Sequence, residues 1–215
     1  MQKGFEGIAP PLPEGCQHHA GYFSPAEEME LARDIKRILD EAPLFQPRMP
    51  RTGKPFSVRM SNCGALGWVS DAAMGYRYQA THPDTGAPWP AMPAALLALW
   101  RAVAPGAPPP EACLINFYAG GTKMGSHKDA DEKDFSAPVV SVSLGDEAAF
   151  HIGGLQRTDP KQRLRLRSGD VFVLGGASRL AFHGIDRIYA GTSDLLARAG
   201  IADGGRINLT LRRVG

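Results

Sequence analysis

His127-Lys128-Asp129 puts an imidazole and a carboxylate two residues apart. On an extended chain that spacing sends both side chains to one face, where they can share a metal ion. A third donor, His183, stands in Phe182-His183-Gly184, read here as following a strand over 179–182. Two histidines and one carboxylate fill half of an octahedral ion's positions, the set that suits non-haem Fe(II) working with oxygen. A closed four-ligand zinc site would leave no place for a co-substrate beside O2. With six histidines and 22 acidic residues in the chain, the pattern also arises by chance, so a second feature has to support it.

The end of the chain supplies one. In Arg206-Ile207-Asn208-Leu209-Thr210-Leu211-Arg212 polar and apolar residues alternate, so on a strand the four polar side chains share a face. Strand rise sets the two arginine Cα atoms at most roughly 20 Å apart, a gap that two guanidinium groups and a small dicarboxylate can close. A planar guanidinium forks onto a carboxylate, which fits an acid such as 2-oxoglutarate. An exposed basic edge strand would give the same alternation, and the sequence leaves that alternative open.

These groups need a scaffold, and the composition allows one. At 215 residues the chain can bury a single substantial core. Hydrophobic residues at 43% and charged residues at 21% exclude a disordered, fibrous or membrane-spanning chain. The 25 glycines and 18 prolines point to many turns between short strands. A net charge of +2 is too small to hold nucleic acid by bulk charge, so any polyanion site must be local. Three cysteines without a CxxC argue against a disulfide scaffold and a cysteine-rich zinc finger. The opening residues carry no signal-like apolar run, and the chain reads as cytoplasmic.

Along the chain, residues 1–23 with Pro10, Pro11 and Pro13 read as an arm running extended over the surface without packing as an element. Ser24-Pro25-Ala26-Glu27 is a capping box with proline at the first helical position, and the spacing predicts a helix to about Ala42, stopped by Pro43. Residues 45–90 are aromatic and turn-rich, with short strands at Ser57-Val58-Arg59-Met60 and Tyr76-Arg77-Tyr78. That region reads as a presentation surface, with Trp68 on a loop after Gly67. A second helix is predicted over Pro93 to Val103. Beyond a proline-rich linker come seven strand-like runs over 112–118, 139–144, 148–152, 163–167, 170–174, 179–182 and 207–212, which indicate a sandwich or barrel. One domain spans 1–215, with its strand-rich core over about 111–215.

Asn116-Phe117-Tyr118, His127-Lys128-Asp129-Ala130-Asp131, His183 and Arg206-x5-Arg212, with Ser61-Asn62-Cys63-Gly64-Ala65-Leu66-Gly67-Trp68, Pro88-Trp89-Pro90-Ala91-Met92-Pro93 and Ala137-Pro138-Val139-Val140-Ser141-Val142-Ser143-Leu144-Gly145, resemble the AlkB family of Fe(II)/2-oxoglutarate-dependent dealkylating dioxygenases in order and interval. The resemblance implies a mainly β fold with flanking helices, a double-stranded β-helix of the jelly-roll type, with an N-terminal nucleotide-recognition lid over about 45–90. It implies that His127, Asp129 and His183 bind Fe(II). Arg206, Asn208 and Tyr118 would hold the distal carboxylate of 2-oxoglutarate, and Arg212 and Asn116 its metal-chelating end. With O2, the chemistry would be hydroxylation of an N-alkyl group on a base.

The resemblance also makes Trp68 a base-stacking surface opposite His127, and gives Asp131 the exocyclic amino group of the base. N1-methyladenine and N3-methylcytosine are cationic, so a carboxylate and aromatic faces favour them over neutral bases. Tyr76 and Tyr78 share a face and are candidates for phosphate or sugar contacts. Arg157 begins a basic stretch through Arg167 that fits either phosphate binding or a solvated face. His151, between Phe150 and Ile152, reads as a structural histidine, and Leu174 and Met124 as apolar walls. The implied partner is alkylated single- or double-stranded DNA, with methylated RNA as the alternative, and with no membrane and no obligate protein partner. A nonenzymatic nucleic-acid-binding module with a structural metal is the reading from a different class.

Overall fold

The computed structural model describes residues 11–215. Its strands are β1 Cys16–His19, β2 Arg59–Gly64, β3 Gly67–Asp71, β4 Gly75–Gln79, β5 Ala112–Tyr118, β6 Met124–His127, β7 Val139–Gly145, β8 Glu147–Ile152, β9 Gln162–Leu166, β10 Val171–Leu174, β11 His183–Tyr189 and β12 Arg206–Arg212. The helices are α1 Pro25–Glu41, α2 Ala94–Val103 and the short α3 Leu195–Arg198. Six strands form a sheet in the order β1-β10-β7-β12-β5-β2, four form a second sheet in the order β6-β11-β8-β9, and β3 and β4 make a hairpin. All these pairings are antiparallel. Two antiparallel sheets with crossing connections make the double-stranded β-helix expected from the sequence.

The larger sheet is covered on both faces. On one, Ile207, Leu209 and Leu211 of β12 are fully buried in a cluster with Leu31 and Ile35 of α1 and Leu96, Leu99 and Trp100 of α2. Each such side chain contributes about 1.5–3 kcal/mol by leaving water. On the other, Leu114, Val139, Phe172 and Leu174 meet Phe150, Ile152, Leu166 and Ile185 of the smaller sheet. The intervening β12 residues, Arg206, Asn208, Thr210 and Arg212, therefore point between the sheets, where they line a cavity of about 370 Å³. β12 pairs with β5 on one side and β7 on the other, which removes the edge-strand alternative.

Helix α1 starts as its sequence dictates. The Ser24 hydroxyl accepts from the Glu27 N–H, and the Glu27 carboxylate accepts from the Ser24 N–H at 2.8 Å. Such a cap is worth about 1 kcal/mol.

Four expectations are corrected. The arm does pack within the described residues: Cys16–His19 forms β1 at the edge of the large sheet, paired with β10. It is tied there by His18 Nε2 against Asp170 Oδ2 at 3.0 Å. Ladder bonds use backbone, so a strand as polar as Cys-Gln-His-His can be seated without an apolar face. Residues 179–182 are not a strand. A 3-10 turn at Gly176–Ser178 leads into β11, which opens at His183 itself. Trp68 lies within β3, not on a loop. The region over 45–90 also contributes core, since Val58, Met60, Trp68, Val69 and Trp89 are buried.

Candidate metal and co-substrate site

β6 ends and β11 begins on the same rung, with His127 directly opposite His183. Their ring centroids are 4.5 Å apart. Asp129 follows two residues after the end of β6, with Oδ1 3.8 Å from His127 Nε2 and Oδ2 3.8 Å from His183 Nε2. One donor atom from each lies within 4.8 Å of the other two. The Nδ1 atoms face carbonyl oxygens, Gly125 at 2.9 Å for His127 and Ala181 at 3.0 Å for His183. A carbonyl only accepts, so the proton sits on Nδ1 and each Nε2 keeps its lone pair for the shared centre. Burial, helped by the neighbouring His127, pushes His183 down to about 4, so it is neutral and ready to ligate at physiological pH.

Burial alone would raise the Asp129 carboxyl. The Arg212 guanidinium outweighs it, with the two imidazoles and Arg179, and holds Asp129 well below the usual carboxylate range. Arg212 Nη2 donates to Asp129 Oδ1 at 2.8 Å. Its Nη1 donates to the Tyr78 hydroxyl at 3.0 Å and lies 3.4 Å from Glu132 Oε1. Burial would lower Arg212, but Asp129 and then Tyr78 and Glu132 overcome that and raise it.

Arg206 is the opposite case. It is fully buried, donating to the Asp146 carbonyl at 3.2 Å and to Ser143 Oγ at 2.6 Å, while its Nε has no partner. Among the described residues no carboxylate lies within ion-pair reach of it, and burial pushes its pKa down to about 10. A buried cation without an anion is costly, and this one faces the cavity that holds the metal ligands. Beside it the buried Tyr118 hydroxyl donates to Met124 Sδ at 3.6 Å, a weak acceptor. Asn116 Oδ1 is buried and unpartnered, and an amide flip would turn that position into a donor. A carboxylate-bearing ligand satisfies this set, so the residues present fit a 2-oxoglutarate site. Asn208 lines the cavity but bonds within the protein, donating to Ser141 Oγ at 2.5 Å and accepting from Thr210 Oγ1 at 2.8 Å.

Trp68, Tyr76 and Asp131 line the same cavity, with Leu174 and Met124 as apolar walls. Trp68 is both packed and presented: it is 8% exposed, stacks on Tyr76 with centroids 5.5 Å apart, and donates from Nε1 to Asp131. Tyr78 departs from the expectation of a substrate contact. Its hydroxyl donates to Glu132 and accepts from Arg212, because β4 turns it inward behind the metal carboxylate. Arg157 is exposed outside the cavity, bonded to the Ser126 carbonyl at 2.6 Å and stacked 4.9 Å from the centroid of Phe182. His151 is structural as expected, held between Asp186 at 2.8 Å and Ser126 at 3.2 Å.

Glu132 and Arg179, to which the sequence assigns no role, also belong to the site. Glu132 has a fully buried side chain and takes an ion pair from Arg179 at 3.0 Å. Arg179 also donates to the Asp129 carbonyl at 2.8 Å. In the run Asp129 to Asp134 nothing local marks Glu132 as the inward residue; a pairing with Tyr78 would have been the signal. Tyr78→Phe, which keeps the ring and removes the hydroxyl between Glu132 and Arg212, is expected to lower stability by about 1–3 kcal/mol. Urea denaturation checks this, and an unchanged midpoint would show that the hydroxyl contributes nothing there.

A family model described as the 2OG-Fe(II) oxygenase superfamily matches residues 15–212. The "Alpha-ketoglutarate-dependent dioxygenase AlkB" of Escherichia coli is 46% identical over 197 residues, covering 90% of this chain and 87% of that protein. The chain belongs to the AlkB family. An "Alpha-ketoglutarate-dependent dioxygenase AlkB homolog" from Caulobacter vibrioides is 48% identical over 213 residues, covering 98% of this AlkB-family chain and 94% of that protein. The solved structure of OsALKBH1 superposes with a TM-score of 0.75 at 30% identity, covering 95% of this chain and all of that one. This AlkB-family protein is an Fe(II)- and 2-oxoglutarate-dependent dioxygenase, which sets aside the nonenzymatic module. Among the described residues no helix is long and apolar enough to cross a membrane.

Proposed function

We propose that this protein removes N-alkyl groups from alkylated nucleobases in DNA, with N1-methyladenine and N3-methylcytosine as the lesion type. The carrying observation is that one cavity is lined at once by His127, Asp129 and His183, by the unpaired Arg206, and by Trp68, Tyr76 and Asp131. His127, Asp129 and His183 would hold Fe(II). Arg206 and Tyr118 would take the distal carboxylate of 2-oxoglutarate, with Asn208 joining them by turning its amide from Ser141, and Arg212 and Asn116 would take its chelating end. When bound there, with O2 and 2-oxoglutarate, Fe(II) would supply hydroxylation chemistry at the N-alkyl carbon, the products being succinate, CO2, formaldehyde and the restored base.

The chain's own groups do the selecting. A damaged base that pairs poorly is cheaper to extrude from a duplex. Once extruded, it lies against Trp68 on the side of His127. Asp131 contributes negative charge beside a ring that is itself cationic. Tyr76, about half exposed at the cavity mouth, meets the sugar or phosphate next to the lesion, and Arg157 stands outside as a phosphate contact. The reaction takes place in the cytoplasm.

The test is mass spectrometry of methylated DNA and RNA oligonucleotides after anaerobic iron loading and addition of 2-oxoglutarate and air. Loss of the methyl group from DNA, with matching succinate, is the expected result. Conversion of RNA alone would move the substrate to RNA, and succinate with neither oligonucleotide changed would overturn the reading. Trp68→Ala is expected to weaken binding of a lesion-containing strand by about 1–3 kcal/mol, and to do so more than it slows oligonucleotide-independent 2-oxoglutarate turnover. Equal losses in the two assays would make Trp68 a core residue alone.

A further inference from the structure

Asp131 is an exposed carboxylate on the cavity wall. Left to rotate in water, such a group attracts any cation and distinguishes poorly between a ligand's donors and acceptors. Here it is held on both sides along the chain. Asp129 is fixed by Arg212 at its carboxylate and by Arg179 at its carbonyl, each at 2.8 Å. Glu132 is fixed by Arg179 at 3.0 Å. The Asp131 side chain is then held by Trp68, whose Nε1 donates to Oδ2 at 2.7 Å.

The indole is itself immobilised. The Asn62 side chain accepts from the Trp68 N–H at 3.0 Å and donates to its carbonyl at 3.1 Å. Gly67 lies so close to Trp89 that a Cβ there would sit 2.4 Å from the ring. Phe56 packs edge-on to Trp68, with centroids 6.1 Å apart. An indole has one hydrogen-bonding atom, a donor, and in Trp68 it is committed to Asp131.

We propose that Trp68 is a positioning residue for Asp131 as well as a stacking surface. Its N–H holds one carboxylate oxygen and leaves the other as a fixed acceptor, which selects bases carrying an amino group over bases carrying a carbonyl at that place. The inference rests on the reading of the cavity as an alkylated-base pocket. N3-methylcytosine presents an amino group beside its methylated nitrogen, whereas N3-methylthymine presents a carbonyl there. A fixed carboxylate bonds the first and opposes a lone pair of the second. A carboxylate free to swing into water does neither as well.

Trp68→Phe keeps an aromatic face and removes the N–H. The measurement is kcat/KM for N3-methylcytosine and N3-methylthymine in the same oligonucleotide, and their ratio is expected to fall about tenfold in Trp68→Phe. Asp131→Asn should move the ratio in the same direction. In an Asp131→Ala background, adding Trp68→Phe should leave the ratio where Asp131→Ala alone puts it, because the indole acts through that carboxylate. A Trp68→Phe enzyme that loses the same factor on both substrates, or effects that multiply in the double variant, would overturn the proposal and leave Trp68 as a stacking surface alone. A wild-type enzyme that consumes 2-oxoglutarate but demethylates neither oligonucleotide would overturn the base-pocket reading beneath it.

Discussion

Arg206→Met is expected to raise the apparent KM for 2-oxoglutarate by about 10²- to 4 × 10³-fold while leaving the ligand-free protein as stable as the parent, or more so. The two halves have one cause. Arg206 is a fully buried guanidinium whose acceptors are a carbonyl and a hydroxyl, and its unpartnered Nε adds to the penalty. Removing one partner of a buried charge pair costs about 3–5 kcal/mol, which gives the change in KM. Before the ligand binds, that pair does not exist, and an apolar side chain of similar length relieves the desolvation of a lone cation. Saturating 2-oxoglutarate at about 100 times its dissociation constant should stabilise the parent by about 2.7 kcal/mol; in Arg206→Met at the same concentration nearly all of this disappears. Urea midpoints with and without 2-oxoglutarate, with Mn(II) in place of iron, read both halves. A normal KM would remove Arg206 from the co-substrate site, and a collapse of ligand-free stability would make it structural.

Asp129→Ala is expected to abolish 2-oxoglutarate turnover, by more than the about 10–100-fold that loss of an outer-shell partner alone produces, with the fold retained. The carboxylate supplies one of three donor groups and is the anion that Arg212 grips. Without it Arg212 keeps Tyr78 at 3.0 Å and Glu132 at 3.4 Å, so the guanidinium is not stranded and the loss of stability stays near about 1–3 kcal/mol. Anaerobic metal titration should show weakened Fe(II) or Mn(II) binding alongside a native circular dichroism spectrum. Appreciable turnover in this variant would remove the metal assignment. Because Arg212 serves both Asp129 and Glu132, substitutions at these three positions should combine non-additively.

Glu132 shows how a site can be half legible. Its neighbour Asp129 is legible from a two-residue spacing to His127, a relation the local backbone enforces. Glu132 is buried by Tyr78, 54 residues earlier, and by Arg179, 47 residues later, and no local period encodes either contact. Alternation with Tyr76 on β4 predicts Tyr78 at the substrate. The two do share a face, but one end of that face lies at the cavity mouth and the other behind Arg212.

What the amino-acid sequence determined alone is whatever a few consecutive residues decide: the Ser24 cap and α1, the run of β5, the alternation that gives β12 two different faces, and the donor types at 127, 129 and 183. The tertiary structure decided that β12 is central, that β1 is seated by backbone pairing, and that Trp68 reaches Asp131. It also separated two arginines that look alike in the chain, leaving Arg206 without a carboxylate and surrounding Arg212 with two. The physical reason is that backbone periodicity is a property of adjacent residues, whereas the free energy of a buried charge is set by which groups distant segments bring within a few ångströms of it.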